Sequence, residues 1–300
     1  MKIIFMGTPD FAIPSLQTLV NSKHNVLVVV TAPDKERGRG QKVSFTPVKE
    51  FALQNKIPVL QPEKLKSYPQ LVHELKKYNA DLFVVVAFKI LPKEVFTIPP
   101  KGSFNLHASL LPKYRGAAPI QWALIKGETE TGVTTFKLKE QVDTGNIYLQ
   151  KKTNIKPDDN FASLHDKLSE LGAEAVLQTV EMIETGNFKL KNQDDSLASP
   201  APKITKEICQ INWNKPAGEI HNLIRGLSPH PAAFFVHNGK VLKVYKTEII
   251  IRNDLKPFQI EQTKKELIIG CGKNALRILE LQQEGRKRMN TEEFLRGFSF

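Results

Sequence analysis

Cysteine is nearly missing from this chain: Cys209 and Cys271 are the only two in 300 residues. They stand far apart, in no C-x-x-C or Cys/His spacing. That leaves no basis for a disulfide framework, a zinc site or a redox motif, and it fits a reducing compartment. Long apolar runs are missing too. The longest are short, such as 26–30 and 82–88, far below the ~20 residues a membrane span needs. The opening Met1-Lys2-Ile3-Ile4-Phe5-Met6-Gly7 enters a strand pattern at once and lacks the layout of a signal peptide. A cytoplasmic, non-membrane protein is therefore expected, working as a monomer. Glycine is scarce after that first strand. Gly7-Thr8-Pro9 has one glycine where a pyrophosphate-binding turn has several, which argues against dinucleotide binding. His24, His73, His165, His221, His230 and His237 show no ligand spacing, so no metal is expected. No second Asp-Thr-Gly accompanies Asp143-Thr144-Gly145. An aspartic-protease pair of carboxylates is thereby excluded within one chain.

Positive charge is not scarce. Lys and Arg number 43 against 31 Asp and Glu, a net of +12, and a polyanion partner is plausible on that balance. Residues 205–300 carry 16 against 10, a net of +6, whereas residues 1–188 carry 24 against 19, a net of +5. The smaller segment is the more densely charged, with its sharpest point at Gly285-Arg286-Lys287-Arg288-Met289.

Residues 2–6, 26–31, 57–60 and 81–88 read as strands, and 11–21, 47–55 and 69–78 as helices between them. Alternation of this kind predicts an α/β, Rossmann-like, mostly parallel sheet with helices on both sides. The continuous apolar run 81–88 has the character of a central strand buried on both faces. Residues 132–138 and 147–152 add strands, and 162–185 a helix ended by Gly186. Composition then turns polar over 189–204, expected to be a linker between a domain at 1–188 and another at 205–300. The latter reads as a helix at 217–226 and short strands at 233–236, 241–245, 267–269 and 276–281. A small β-barrel is the natural expectation, of the OB-like kind that often binds nucleic acid.

Chemistry concentrates between Ser103 and Gly145. Phe104 and Leu106 alternate with Asn105 and His107, so the amide and the imidazole share one face of a strand. An amide donor can hold a developing oxyanion, and an imidazole moves protons near neutral pH. The strand breaks into Ser109-Leu110-Leu111-Pro112 at its carboxyl end, the edge where open parallel sheets bind ligands. Separately, Ala32-Pro33-Asp34-Lys35-Glu36-Arg37-Gly38-Arg39-Gly40-Gln41-Lys42 reads either as a solvated loop or as a basic finger for a phosphate backbone.

These residues carry a resemblance. Phe104-Asn105-Leu106-His107, Ser109-Leu110-Leu111-Pro112-Lys113-Tyr114-Arg115-Gly116-Ala117-Ala118-Pro119-Ile120 and Val142-Asp143-Thr144-Gly145 resemble the 10-formyltetrahydrofolate-dependent formyltransferases. Gly7-Thr8-Pro9-Asp10-Phe11, the loop Arg37-Gly38-Arg39-Gly40-Gln41-Lys42, Ala201-Pro202-Lys203-Ile204-Thr205-Lys206-Glu207 and the tract at 285–289 are similar to the members acting on tRNA. The resemblance spans nearly the whole chain. It implies transfer of a formyl group from 10-formyltetrahydrofolate to the α-amine of methionine on initiator methionyl-tRNA, with no metal. It implies a catalytic trio of Asn105, His107 and Asp143. Ser109, Leu110, Leu111 and Pro112 would line the folate site with Val86, Ala87 and Ile90. Arg37, Arg39, Lys42, Lys203, Lys206, Arg286, Lys287 and Arg288 would meet the tRNA. Ala87-Phe88-Lys89-Ile90-Leu91-Pro92 is one residue shorter than the common family wording, which predicts a differently shaped pocket wall there. An amino-sugar nucleotide formyltransferase and a formyltetrahydrofolate hydrolase are the rival enzymes. A non-catalytic RNA-binding protein is the rival outside enzymes.

Overall fold

The computed structural model describes residues 1–37, 42–62 and 68–300, the side chains of 35–37, 42, 43 and 68 excepted. Its first strands are β1 (Lys2–Gly7), β2 (Asn25–Val30), β3 (Lys35–Arg37), β4 (Lys42–Ser44), β5 (Val59–Leu60), β6 (Leu82–Val86), β7 (Ser103–His107), β8 (Arg115–Gly116), β9 (Glu130–Lys137) and β10 (Ile147–Asn154). Seven form one sheet, ordered β10-β9-β7-β6-β1-β2-β5. From β5 to β7 every pairing is parallel, and β9 then runs antiparallel to β7. The parallel part follows from the sequence. Each crossover holds a helix, at Ile13–Val20, Pro47–Gln54, Tyr68–Lys77 and the short Lys93–Phe96, and β6 buries all five of its residues, as a strand covered on both faces does. The carboxyl ends of β1, β6 and β7 therefore lie along one edge. At that edge the chain leaves the sheet after Gly7, Val86 and His107.

Phe104 is fully buried and Leu106 nearly so. Each is worth about 1.5–3 kcal/mol relative to exposure, so they anchor β7 firmly. The 25-residue helix Phe161–Thr185 braces the strand. A Cβ on Gly172 would lie 2.6 Å from Leu106 Cδ2, so the helix approaches β7 only because that residue has none. Further along, the hydroxyls of Thr135 and Thr179 pair at 2.7 Å in the interior. The helix stops at Gly186, which takes φ +72°, the left-handed stop expected of glycine.

Contacts divide the chain into two compact units: residues 1–116, 131–153 and 165–200, and residues 117–130, 154–164 and 201–300. In the second, strands Ala233–His237, Lys240–Ile250, Ala275–Gln283, Leu267–Gly270 and Ile260–Gln262 follow one another in an antiparallel, half-barrel-like sheet, with Met289–Asn290 added to Ala275–Gln283. Its core includes Ile220 and Ile224 of helix Ala217–Leu227, with Phe235, Leu242, Leu276 and Leu281. The helix Pro119–Ile125 belongs to this unit. Gly226 lets it approach, since a Cβ there would stand 3.1 Å from Gln121 O.

Two departures from the sequence reading have local causes. The strand expected at 241–245 runs on to Ile250, because register shifts around Lys246 bulge it and spoil the alternation. The basic loop contains a hairpin, β3 on β4, that pairs Lys35 with Ser44 and Arg37 with Lys42. Among the described residues no helix is long and apolar enough to cross a membrane.

Candidate active site at the carboxyl edge of the sheet

His107 is the last residue of β7 and is buried. Its Nε2 lies 2.8 Å from the carbonyl oxygen of Tyr114. A carbonyl only accepts, so Nε2 carries the proton and the neutral ring keeps its lone pair on Nδ1. That nitrogen faces Asp143 Oδ2 at 3.8 Å, beyond hydrogen-bond length, so the two groups confront one another without being locked together. Asn105, two residues back on the same strand, is half-buried on the face that His107 shares.

Asp143 is held from two sides. Its Oδ2 accepts from the backbone N–H of Gly116 at 2.9 Å, and its backbone takes φ +56°. Tyr114, which orients the imidazole, takes φ +61°. Left-handed backbone at non-glycine residues costs on the order of 1–3 kcal/mol each, and here surrounding bonds hold it. Gly145 has no room for a side chain: a Cβ would meet Lys137 O at 1.7 Å. The turn after Asp143 is thus pressed against the end of β9.

The loop between His107 and Gly116 is tied down internally. Ser109 Oγ donates to Lys113 O at 2.6 Å, Thr134 Oγ1 donates to Ser109 O at 2.7 Å, and Leu111 N donates back to Thr134 Oγ1 at 3.1 Å. Gln150 Nε2 donates to Leu111 O at 2.8 Å. Ser109 is fully enclosed, and Leu111 packs with Phe136 and Ile147. Leu110 and Pro112 are half-buried. On the neighbouring strand Val86 is buried, Ala87 is exposed at φ +48°, and Ile90 is 71% exposed. Uncovered apolar surface therefore lies at the same sheet edge as His107.

The expected tRNA residues are scattered over both units. Lys203, Lys206, Arg286 and Lys287 are exposed. Arg288 is also exposed, but its guanidinium pairs with Glu280 and lies 4.4 Å over the Tyr245 ring. Arg37 and Lys42 oppose one another across the hairpin, their side chains outside the described residues, and Arg39 lies outside them altogether. At the hairpin's base Lys49 bonds both Asp34 and Gln61, and Gln61 Nε2 donates to Asp34 Oδ1 at 2.8 Å. The Lys49 bond, helped by that of Gln61, holds the Asp34 carboxyl below the usual carboxylate range.

Sequence reasoning gave no role to Arg115, Gln193 or Ser199. Gln193 Nε2 donates to the carbonyls of Asp143 and Gly145, both at 2.8 Å. Its Oε1 accepts from Arg115 Nε at 3.1 Å and Nη2 at 2.7 Å. Ser199 Oγ accepts from Tyr114 N at 2.9 Å, and Arg115 N donates to Ser199 O at 2.9 Å. Gln193 lies in Asn192-Gln193-Asp194-Asp195-Ser196, which has the composition of a connector. No local pattern marks it as part of a site.

Known proteins give an independent view. Residues 1–180 match the Formyl transferase family, and residues 203–299 match Formyl transferase, C-terminal domain. A methionyl-tRNA formyltransferase of Caldanaerobacter subterraneus subsp. tengcongensis is 50% identical over 99% of this chain and 97% of its own. One from Geobacter metallireducens is 47% identical over 99% and 96%. Among solved structures, WlaRD, a sugar 3N-formyl transferase crystallised with dTDP and 5-N-formyl-THF, superposes with a TM-score of 0.70 at 23% identity, covering 96% of this chain and 99% of that one. HypX from Aquifex aeolicus gives 0.68 at 19% identity over all of this chain, which spans 48% of HypX. At those identities the likeness is one of fold.

Proposed function

Since the chain belongs to the formyl transferase family, we propose that it formylates the α-amine of methionine carried on initiator tRNA, with 10-formyltetrahydrofolate as formyl donor. The observation that carries the chemical part is the imidazole of His107. Its Nε2–H is spent on the Tyr114 carbonyl, and Nδ1 is left facing the Asp143 carboxylate at the sheet edge.

The residues fit a folate. Ala87 and Ile90 leave apolar surface uncovered beside the site. Leu110 and Pro112 are half-buried on a loop that buried Ser109 and Leu111 keep in shape. A bound 10-formyltetrahydrofolate would supply an activated formyl carbon for the uncharged amine. Asn105 would donate its amide N–H where negative charge develops on the formyl oxygen. One such donor is worth on the order of 2.7–4 kcal/mol of transition-state stabilisation. Once its Nδ1 has taken the proton that Asp143 relays from the amine, His107 would polarise the formyl oxygen or pass that proton to the departing nitrogen. Asp143 steadies the imidazolium and relays the proton lost by the amine, general acid–base help worth roughly 10²–10⁴ in rate. Burial of the imidazole beside a carboxylate strengthens each of these interactions. In this reading the exposed Lys203, Lys206, Arg286 and Lys287, with Arg288, Arg39 and the hairpin residues Arg37 and Lys42, neutralise tRNA phosphates.

The test gives the purified protein 10-formyltetrahydrofolate with methionyl-tRNA, with a dTDP-amino sugar, and with water alone. Formyl-methionyl-tRNA at a rate far above the other two is expected. Formylation of the sugar nucleotide alone would replace the acceptor, and release of formate without an acceptor would make the protein a hydrolase.

A further inference from the structure

The triplet Tyr114-Arg115-Gly116 touches both titratable groups of the site. Tyr114 O fixes the His107 ring, and Gly116 N–H fixes the Asp143 carboxylate. Between them the Arg115 guanidinium grips Gln193 Oε1 with two N–H groups, at 3.1 and 2.7 Å. Gln193 Nε2 in turn binds the carbonyls on either side of Thr144, those of Asp143 and Gly145. The circuit is closed: Asp143 carboxylate, Gly116, Arg115, Gln193, Asp143 carbonyl. Arg115 Nη2 is further anchored on Asp195 Oδ1 at 2.6 Å.

Asp143 needs such a circuit. Its backbone sits at φ +56°, a conformation that local preference does not hold. Its carboxylate stands 3.8 Å from Nδ1, so a small relaxation of the turn would carry it beyond ion-pair distance. Gln193 is well suited to prevent this because a primary amide donates to two carbonyls with one end and accepts from a guanidinium with the other. Glutamate or alanine cannot do both.

We propose that Gln193, held by Arg115, is a positioning residue for Asp143. It comes from the polar segment that otherwise reads as a connector, and it makes the catalytic turn depend on that segment being docked through Gln193, Asp195 and Ser199. The inference rests on the catalytic reading of Asp143 given above.

The experiment is a kinetic cycle on the full-length protein: wild type, Gln193→Ala, Asp143→Asn and the double variant. Turnover and KM are measured for methionyl-tRNA and for the formyl donor, with thermal unfolding in parallel. Gln193→Ala should lower kcat by about 10- to 100-fold, the scale on which a misplaced group costs rate. Both KM values should stay within about twofold, as befits an interaction that matters only in the transition state. In the Asp143→Asn background the same change should cost less than about twofold, because two residues acting through one group are not additive. Gln193→Glu keeps the Arg115 contact but turns carboxylate oxygens toward two carbonyls. It should reproduce the kcat loss, and it serves as the readout should the alanine variant fold poorly. Multiplicative losses in the double variant, or a kcat within about twofold of wild type for either Gln193 variant, overturn the proposal. Near-normal turnover of Asp143→Asn with Gln193→Ala still impaired overturns both the proposal and the role of the carboxylate, whereas additive losses with Asp143→Asn impaired leave that role standing.

Discussion

Asn105 is half-buried on an inner strand of the sheet, and Phe104 and Leu106 on either side of it are packed into the core. Asn105→Ala therefore deletes a hydrogen-bond donor without opening a large cavity. A fall in kcat of about 10²–10³ is expected, the cost of one oxyanion donor. KM for methionyl-tRNA should be unchanged, and steady-state kinetics read both. A second residue-scale prediction concerns His221, whose Nδ1 meets Thr247 Oγ1 at 2.9 Å. Burial, with a smaller push from Arg225, lowers its pKa below the ordinary 6.5. The unfolded chain then binds the proton more readily than the folded one. The stability from neutral His221 is present above pH ~6.5 and drains away as pH falls through the depressed folded value. His221→Gln should flatten the loss of Tm between about pH 7 and 5; an unchanged slope would place the acid sensitivity elsewhere. At this scale much of the site was legible: the period of two placed Asn105 and His107 on one face. Which ring nitrogen faces Asp143 was not, because Tyr114 O, seven residues away, binds the other one.

At the scale of elements, β7 and the helix Phe161–Thr185 form the mount for the site. Their contact rests on the missing side chain of Gly172, 2.6 Å from Leu106 if a Cβ were built. Gly172→Ala gains helix propensity but pushes Leu106 or the helix aside, a net loss of about 1–3 kcal/mol as overpacking goes. Urea unfolding measures it, and a stabilised variant would show that Leu106 yields freely. The alternation of strands and helices made the parallel sheet readable because a buried strand and an amphipathic helix leave different periods. The bulged strand Lys240–Ile250 blurred its own period. Segment 189–200 was opaque for another reason: it is held through backbone groups and single side chains, and no periodicity records that.

Over the whole molecule, charge is the property that bears most on the proposed acceptor step. The net of +12 and the exposed Lys203, Lys206, Arg286 and Lys287 predict that affinity for methionyl-tRNA falls steeply between about 50 and 200 mM salt through counterion release. Affinity for the folate should barely move, and filter binding against fluorescence titration separates the two. Arg39→Ala and Arg286→Ala should each raise KM for tRNA and leave the formyl donor's KM nearly intact; unchanged tRNA kinetics would remove those side chains from the interface. The proposed chemistry rests on the imidazole between Tyr114 and Asp143. Its most direct test is the single-turnover rate of formyl transfer by His107→Ala on saturating methionyl-tRNA, with tRNA binding measured alongside. A rate lowered by roughly 10²–10⁴ with binding intact is what the site predicts, and a rate near that of the wild type would contradict it.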